Sequence, residues 1–89
     1  MEKDLQQEHE LHLRDRGTLR LTGVKEIESF HETVIVLSTL RGLLIVRGEG
    51  LKLRTMTAEG GQVSVEGRIH SLVYEEEKTP GGFLRRWFS

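Results

Sequence analysis

Apolar and polar residues alternate with a period of two along most of this chain, and glycines interrupt the alternation at short intervals. The alternation is clear in the segments LHLRDRGTLRL (11–21), LKLRTMT (51–57) and QVSVEG (62–67). Successive side chains of a β-strand point to opposite faces of a sheet, so this period predicts strands with one buried and one exposed face. Leu21 and Val65 are then expected on the buried face.

Two segments are apolar almost without interruption, TVIVLSTL (33–40) and GLLIVRG (42–48). Such runs are typical of strands that are covered on both faces or lie at the centre of a sheet. The segment VKEIESF (24–30) has an apolar spacing of three, for which we favour a bent strand over a helical turn. The only proline is Pro80, so none interrupts a sheet over residues 9–76.

Glycines lie mostly at the ends of the alternating segments, where turns need positive φ angles. GTLRLTG (17–23) also resembles GQVSVEG (61–67). The simpler interpretation is that any two alternating strands ending in glycine look alike, and the alternative is a repeated strand–corner–strand unit. The sequence predicts a single small all-β domain of short twisted strands with glycine corners, either a β-sandwich or a short β-solenoid.

The chain of 89 residues is long enough for one small domain. A domain of this size buries only roughly 60–65% of the surface that its unfolded chain exposes, so self-association into a homo-oligomer is expected. Changes in composition divide the chain into a flexible N-terminus (1–8), a β-domain (9–76), an acidic linker with Pro and Gly (77–82) and a C-terminal tail (83–89).

The composition argues against several classes of protein. Without cysteine the chain has no disulfide framework, zinc ribbon or thiol nucleophile, and it is compatible with a reducing compartment. A formal net charge of −1 provides no general attraction for nucleic acid. No apolar run approaches the roughly 20 residues that cross a bilayer, and the polar start MEKDLQQEHE is unlike a signal or transit peptide.

The tail is rich in aromatic residues, although the chain has only one Trp, one Tyr and three Phe. On a helix its apolar residues would share one face, and its two arginines would project from the other. These residues are Phe83, Leu84, Trp87 and Phe88, and Arg85 and Arg86. A short amphipathic helix of this kind suits a membrane surface, a groove on a partner protein, or the chain's own domain.

The β-domain already has its apolar residues in Leu, Val and Ile, with Phe30 and Tyr74 as its own aromatic residues. The linker separates the tail from that set. We therefore interpret residues 83–88 as a second functional unit that binds a membrane or a partner protein.

No residue is predicted to be catalytic, to bind a cofactor or to bind a metal. His9 and His12 form the sequence H-E-L-H, but residues three apart on a strand point to opposite faces. The glutamates occur in charge runs typical of solvated surface, and the serines lack a G-x-S-x-G context. The alternative is a small ligand-binding β-domain, or an enzyme that uses Glu66, His70 and the glycine corner at 48–50.

A nucleic-acid-binding module is a further alternative, because basic residues recur on two segments. These residues are Arg14, Arg16 and Arg20, and Arg47, Lys52 and Arg54. No aromatic residue for base stacking lies among them, and carboxylates are as frequent. We therefore predict no nucleic-acid partner.

Four segments, in this order, resemble the YabP branch of the YabP/YqfC family of sporulation proteins. They are RGTLRLTGVKEIESF (16–30), LRGLLIVRGEGLKL (40–53), GQVSVEGRIHSLVYEE (61–76) and GGFLRRWF (81–88). The resemblance runs from about His9 to Phe88. One departure is His31, where the family's pattern has an acidic residue.

The resemblance implies a protein of endospore-forming bacteria that is made in the mother cell and is needed for building the spore. It implies no catalytic residues and no cofactor, and it points to a polytopic membrane protein, YabQ-like, as a partner. We therefore expect a cytoplasmic, non-enzymatic scaffold or adaptor that self-associates during assembly of the spore envelope. We expect it to be peripheral to the outer forespore membrane.

Overall fold

Six β-strands make up most of the computed structural model, which describes residues 8–57 and 61–76. They are β1 (Leu11–Arg14), β2 (Thr18–Leu21), β3 (Val24–Phe30), β4 (Val34–Thr39), β5 (Gly42–Met56) and β6 (Val63–Glu75). The alternating segments form β1, β2 and parts of β5 and β6, and the two uninterrupted apolar segments form β4 and the start of β5. In this part of the chain no helix is long and apolar enough to cross a membrane.

All six strands belong to one antiparallel sheet, in the order β1-β2-β6-β5-β4-β3. The prediction of an all-β domain is confirmed. The two similar segments, 17–23 and 61–67, pair with each other in antiparallel fashion, with Leu19 opposite Val65. Coils of a β-solenoid would stack in parallel, so this similarity reflects two neighbouring strands and not a solenoid repeat.

The sheet bends back on itself, so that distant parts of it meet. β1 and β6 run in the same direction, and through β2 the register aligns Leu11 with Leu21 and Val63. In a flat sheet, His9 just before β1 and Tyr74 near the end of β6 would therefore lie about 40 Å apart. Instead the imidazole of His9 bonds the hydroxyl of Tyr74, and the two ring centroids are 5.7 Å apart. The bend gives a small sheet an enclosed interior.

Glycines and register shifts produce the bend. The pairing of β5 with β6 shifts between Arg47 and Gly48 and again between Glu49 and Lys52. Gly48 has no room for a side chain, because a Cβ there would collide with the carbonyl oxygen of Arg68. Such bulges bend a strand and increase its twist. The predicted glycine corner at 48–50 is therefore present, and so is the predicted bend in β3, which has two register shifts against β4.

The interior is aliphatic. Leu21 and Val65 are 2% and 0% exposed, which confirms the predicted buried face. The buried residues of this core are Leu19, Leu21, Val24, Ile35, Leu37, Leu44, Val46, Leu51, Val63, Val65 and Ile69. Full burial of one such side chain contributes about 1.5–3 kcal/mol.

Phe30 and Tyr74 lie outside this core, with 44% and 46% of their surfaces exposed. Phe30 is the last residue of β3, and Tyr74 is the last but one of β6. Both therefore lie at the rim of the bent sheet, where the facing part of the same sheet no longer covers them. The core of the described part of the chain is thus built from Leu, Val and Ile, and the two aromatic residues of the β-domain lie outside it.

The predicted linker (77–82) and the predicted C-terminal helix (83–89) lie outside the described residues, as does the start of the chain (1–7). These assignments stay predictions.

Candidate functional site

The six tail residues predicted to bind a membrane or a partner also lie outside the described ranges. The surfaces that the structure does describe are a groove beside the β1–β2 turn, a charged face, two sheet edges and the outer side of β4 and β5. Each of them bears on one of the functions that the sequence suggests.

A groove of about 530 Å³ lies beside the β1–β2 turn and is lined by Asp15, Arg16, Gly17, Gly67, Arg68 and His70. Glu66 is not part of it and pairs with Arg54, with 3.6 Å between Nε and Oε1. Glu66 and His70 are four residues apart on β6, about 13 Å along the strand, which is too far for them to act as an acid–base pair. Glu66 and His70 therefore do not form the acid–base pair that the enzyme alternative would use.

The arginine in this groove has a structural role. Asp15 and Arg16 both have φ of 53°, in the left-handed region that few residues other than glycine adopt. Arg16 Nε donates a hydrogen bond to the carbonyl oxygen of Ile69 at 3.0 Å, and the Ile69 amide donates to the carbonyl oxygen of Arg16 at 2.8 Å. These bonds hold the turn against β6 and compensate for its backbone strain.

The six basic residues suggested for nucleic-acid binding do not form one surface. Arg16 is used by the β1–β2 turn, and Arg47 lies opposite Val34 and Ser71 on another face. Lys52 and Arg54 lie beside Glu66, so a carboxylate is among the cations. Among the described residues, therefore, this arrangement is a mixed charged face and not a basic groove for a phosphate backbone.

The histidines do not gather at a metal site. Within residues 8–57 and 61–76, no group of three or more His, Asp or Glu side chains could hold a metal ion. The Nδ1 atom of His9 donates to the carbonyl oxygen of Thr22 at 2.7 Å, which leaves Nε2 to accept from the Tyr74 hydroxyl. His12 is exposed and lies 3.6 Å from Glu10.

The contact between His9 and Tyr74 joins the start of the sheet to the end of β6, and sequence reasoning missed it. The two residues are 65 positions apart, and neither lies in a recognisable pattern. Partial burial raises the pKa of the Tyr74 hydroxyl above its ordinary value. The neutral hydroxyl is the form that donates to His9.

The two edge strands differ in how well they can pair with another chain. β3 has two register shifts and exposed charged side chains at Lys25, Glu26 and Glu28, which are features that block edge-to-edge pairing. β1 is short but regular, and in the described structure it pairs only with β2. Its Leu13 side chain is 40% exposed.

The backbone of β1 has a defined outward side. The Thr22 amide donates a hydrogen bond to the carbonyl oxygen of Glu10. Glu10 and Thr22 are thus a hydrogen-bonded pair, next in the ladder to the pair Leu11 and Leu21. Hydrogen-bonded and non-hydrogen-bonded pairs alternate in an antiparallel ladder, so His12 and Arg14 bond β2 while Leu11 and Leu13 direct their backbone groups outwards. β1 is therefore the edge at which another strand can add.

The outer side of β4 and β5 is apolar. Val36, Leu43 and Ile45 form a second buried cluster there, with Val34 packed against it. The uninterrupted apolar segments of the sequence predicted that these strands would be covered on both faces, and the burial of both faces confirms it.

Comparison with known proteins agrees with the family resemblance. The YabP family model matches residues 5–81, which include every strand of the sheet and end before Phe83. The chain is also 38% identical over 72 residues to Spore protein YabP of Bacillus subtilis (strain 168). That alignment covers 81% of this chain and 72% of the relative. On the extent of both matches, the chain belongs to the YabP family.

Proposed function

We propose that this chain is a non-enzymatic sporulation protein that self-associates and acts as an adaptor in assembly of the spore envelope. Its family and the name of its relative, a spore protein, support a role in sporulation. The observation that carries the adaptor role is the edge of β1, which among the described residues pairs only with β2. This edge is regular and partly apolar, and it directs backbone groups outwards.

Self-association through this edge produces a dimer. Two copies of β1 pair in antiparallel fashion about a two-fold axis, so the same residues contribute from each chain and the interface closes on itself. β3 at the other edge is protected by bulges and charge, so the sheet does not grow into a filament. Pairing over four residues is a small interface, and we expect association in the micromolar range.

In this proposal the dimer works in the mother cell, at the outer forespore membrane. Residues 83–88 contact the membrane or a polytopic, YabQ-like protein in it. A tail this short binds a membrane weakly, and two tails on one dimer bind far more tightly than one. Self-association and membrane attachment are therefore linked.

Two variants of Leu13 test the proposal in sporulating cells. Leu13→Pro removes an outward amide and blocks edge pairing, whereas Leu13→Ala removes the side chain but keeps the amide. Fluorescent fusions of the parent and of Leu13→Ala should gather at the forespore, and Leu13→Pro should be diffuse. A Leu13→Pro fusion that still localises normally would contradict the role of β1.

A chain lacking residues 83–89 tests the other half of the proposal. It should dimerise as the parent does but remain diffuse in the mother cell. Unchanged localisation would remove the tail from the proposal and leave the β1 edge untouched.

A further inference from the structure

The outer side of β4 and β5 carries a set of apolar side chains that is separate from the core. Ile35 and Leu37 face the core, so Val36 between them faces the opposite way. In the strand register Val36 lies opposite Ile45, and Ile45 lies opposite Val73. We call this surface, formed by Val34, Val36, Leu43, Ile45 and Val73, the outer apolar face.

The centre of the outer apolar face is fully buried. Val36 and Ile45 are both 0% exposed and Leu43 is 3% exposed, whereas Val73 at the margin is 38% exposed. A side chain on an uncovered sheet face keeps part of its surface in solvent, as Val73 does. Val34, the partly buried hydrophobic residue of the described chain that packs against the cluster, lies in the same layer and cannot cover it. The burial of Val36 and Ile45 therefore requires a layer outside the sheet.

We propose that residues 83–88 of the same chain form this layer, with Phe83, Leu84, Trp87 and Phe88 packed on the outer apolar face. The tail is the most apolar and aromatic of the segments outside the described ranges, and the cluster it would cover is wholly aliphatic. Burying these side chains against each other removes a large apolar area from water.

The position at which β6 ends supports this occupant. Glu75, the last residue of β6, lies opposite Leu43 on the outer apolar face. Ile45 is two residues further along the neighbouring strand, about 8 Å away. The six residues 77–82 can span up to about 20 Å, so they reach the centre of the face with length to spare.

The other two segments are less well placed to cover the outer apolar face. Residues 58–60 connect β5 to β6 at the opposite end of that hairpin, beyond the pair Met56 and Val63. Residues 1–7 lead into His9, which contacts Tyr74, and Tyr74 lies opposite Leu44 on the core side of the sheet. This segment therefore begins on the side away from the outer apolar face, and its only large apolar residues are Met1 and Leu5.

Two carboxylates flank the outer apolar face, and one cation, Arg47, lies opposite Val34 at its far end. Glu26 lies opposite Ser38 next to the apolar cluster on the β3 side, and Glu75 lies opposite Leu43 on the β6 side. The tail carries Arg85 and Arg86 and no acidic residue. Carboxylates at both margins of the face suit a segment with an apolar side and two cations.

This inference rests on the proposed role of the tail and extends it. When the tail lies on the outer apolar face, the residues that would enter a membrane or a partner are already buried. Membrane or partner must then compete with the chain's own sheet, so attachment is favoured only where two tails of a dimer act together.

Trp87 is the only tryptophan of the chain, so its fluorescence reports the location of the tail directly. In the full-length protein at low micromolar concentration, without lipid, we expect blue-shifted emission and weak quenching by iodide. Ile45→Glu should shift the emission to the red and increase quenching several-fold. Because that substitution is at a fully buried site, Val73→Glu at the margin serves as a second, milder variant.

Met56→Glu is the matched control, since Met56 is 66% exposed and lies at the far end of β5. It should leave the emission unchanged. A solvent-like emission in the parent, or an emission that neither Ile45→Glu nor Val73→Glu alters in a folded protein, would overturn the proposal.

Two further measurements identify a different occupant. A blue shift that appears only as concentration rises would assign the face to a second copy of the chain. A blue shift that appears only with anionic lipid vesicles would assign the tail to the membrane. Either result overturns intramolecular docking. The same measurement on Leu13→Pro, which should not pair through β1, separates a concentration-dependent shift from dimerisation at that edge.

Discussion

Gly48 and Gly50 lie two residues apart in the bend of β5, and the structure gives them different roles. A Cβ on Gly48 would collide with the backbone of Arg68, whereas a Cβ on Gly50 meets nothing within 4 Å. Gly50 has φ of +60°, so alanine there costs only the left-handed backbone conformation, about 1–2 kcal/mol.

We predict that Gly48→Ala destabilises the domain by at least about 3 kcal/mol, because neighbouring backbone must move. Gly50→Ala is the matched control with a smaller cost. Urea unfolding of both variants measures the difference. Equal free energies of unfolding would show that β5 and β6 are not packed closely at this bend.

Charge on the buried face of the sheet is predicted to unfold the domain. Leu21→Asp and Val65→Asp each place a carboxylate where 2% or less of the side chain is exposed, at a cost of about 3 kcal/mol or more. Arg20→Asp, on the exposed face next to Leu21, should change stability by less than about 1 kcal/mol. Thermal melts of the three proteins test the assignment, and a Leu21→Asp protein as stable as Arg20→Asp would reverse the two faces.

Tyr74 is the only tyrosine, so its titration can be followed directly in ultraviolet absorbance. Burial raises its folded-state pKa, so the midpoint should lie above about 10 in the native protein and return to about 10 in denaturant. The neutral hydroxyl then favours folding below the unfolded-state pKa, and this contribution is lost as pH rises through the folded-state pKa. Tyr74→Phe should lose less stability than the parent as the pH rises into the alkaline range. If the free energy of unfolding depends on pH identically in the two proteins, Tyr74 does not contribute to the alkaline loss of stability.

The contrast between these residues shows what local sequence can predict. Leu21 and Val65 lie in alternating segments, and the period of two placed both on the correct face. The bond between His9 and Tyr74 depends on how the whole sheet bends, and no local pattern specifies it. The exposed positions of Phe30 and Tyr74 follow from the same bend, which leaves the ends of β3 and β6 at its rim.

The ladder pattern of β1 predicts which of its backbone amides exchange slowly with solvent and which exchange fast. The amides of His12 and Arg14 bond β2, whereas those of Leu11 and Leu13 point outwards. In the dilute protein we expect slow exchange at His12 and Arg14 and fast exchange at Leu11 and Leu13. At high concentration the amides of Leu11 and Leu13 should become protected as well. Protection that stays the same at every concentration would argue against strand addition at this edge.

The presence of each strand is easier to predict from the sequence than the order of the strands in the sheet. The apolar period and the glycines predicted the strands, the bend of β3 and the corner at 48–50. The order was not predictable, because β2 and β3 follow each other closely in sequence yet lie four positions apart in the sheet. That separation depends on the long pairing of β5 with β6, whose partners are distant in sequence. The β1 edge could be recognised as a candidate site only once the order was known.

The whole molecule combines a small bent sheet with two proposed binding elements, the β1 edge and the tail. We propose that the β1 edge joins two copies and that the tail attaches them to a membrane or a partner after leaving the outer apolar face. A chain of 89 residues with an aliphatic core has a limited stability of its own, so the proposed pairing of β1 would also stabilise the fold by mass action.

Self-association through β1 is the central claim, and sedimentation velocity tests it most directly. The parent, Leu13→Ala and Leu13→Pro would be compared from low to high micromolar concentration, with circular dichroism to confirm that each is folded. We predict that the parent and Leu13→Ala pass from monomer to dimer, while Leu13→Pro remains monomeric. A parent that stays monomeric at high micromolar concentration, or a Leu13→Pro protein that dimerises equally well, would contradict the account.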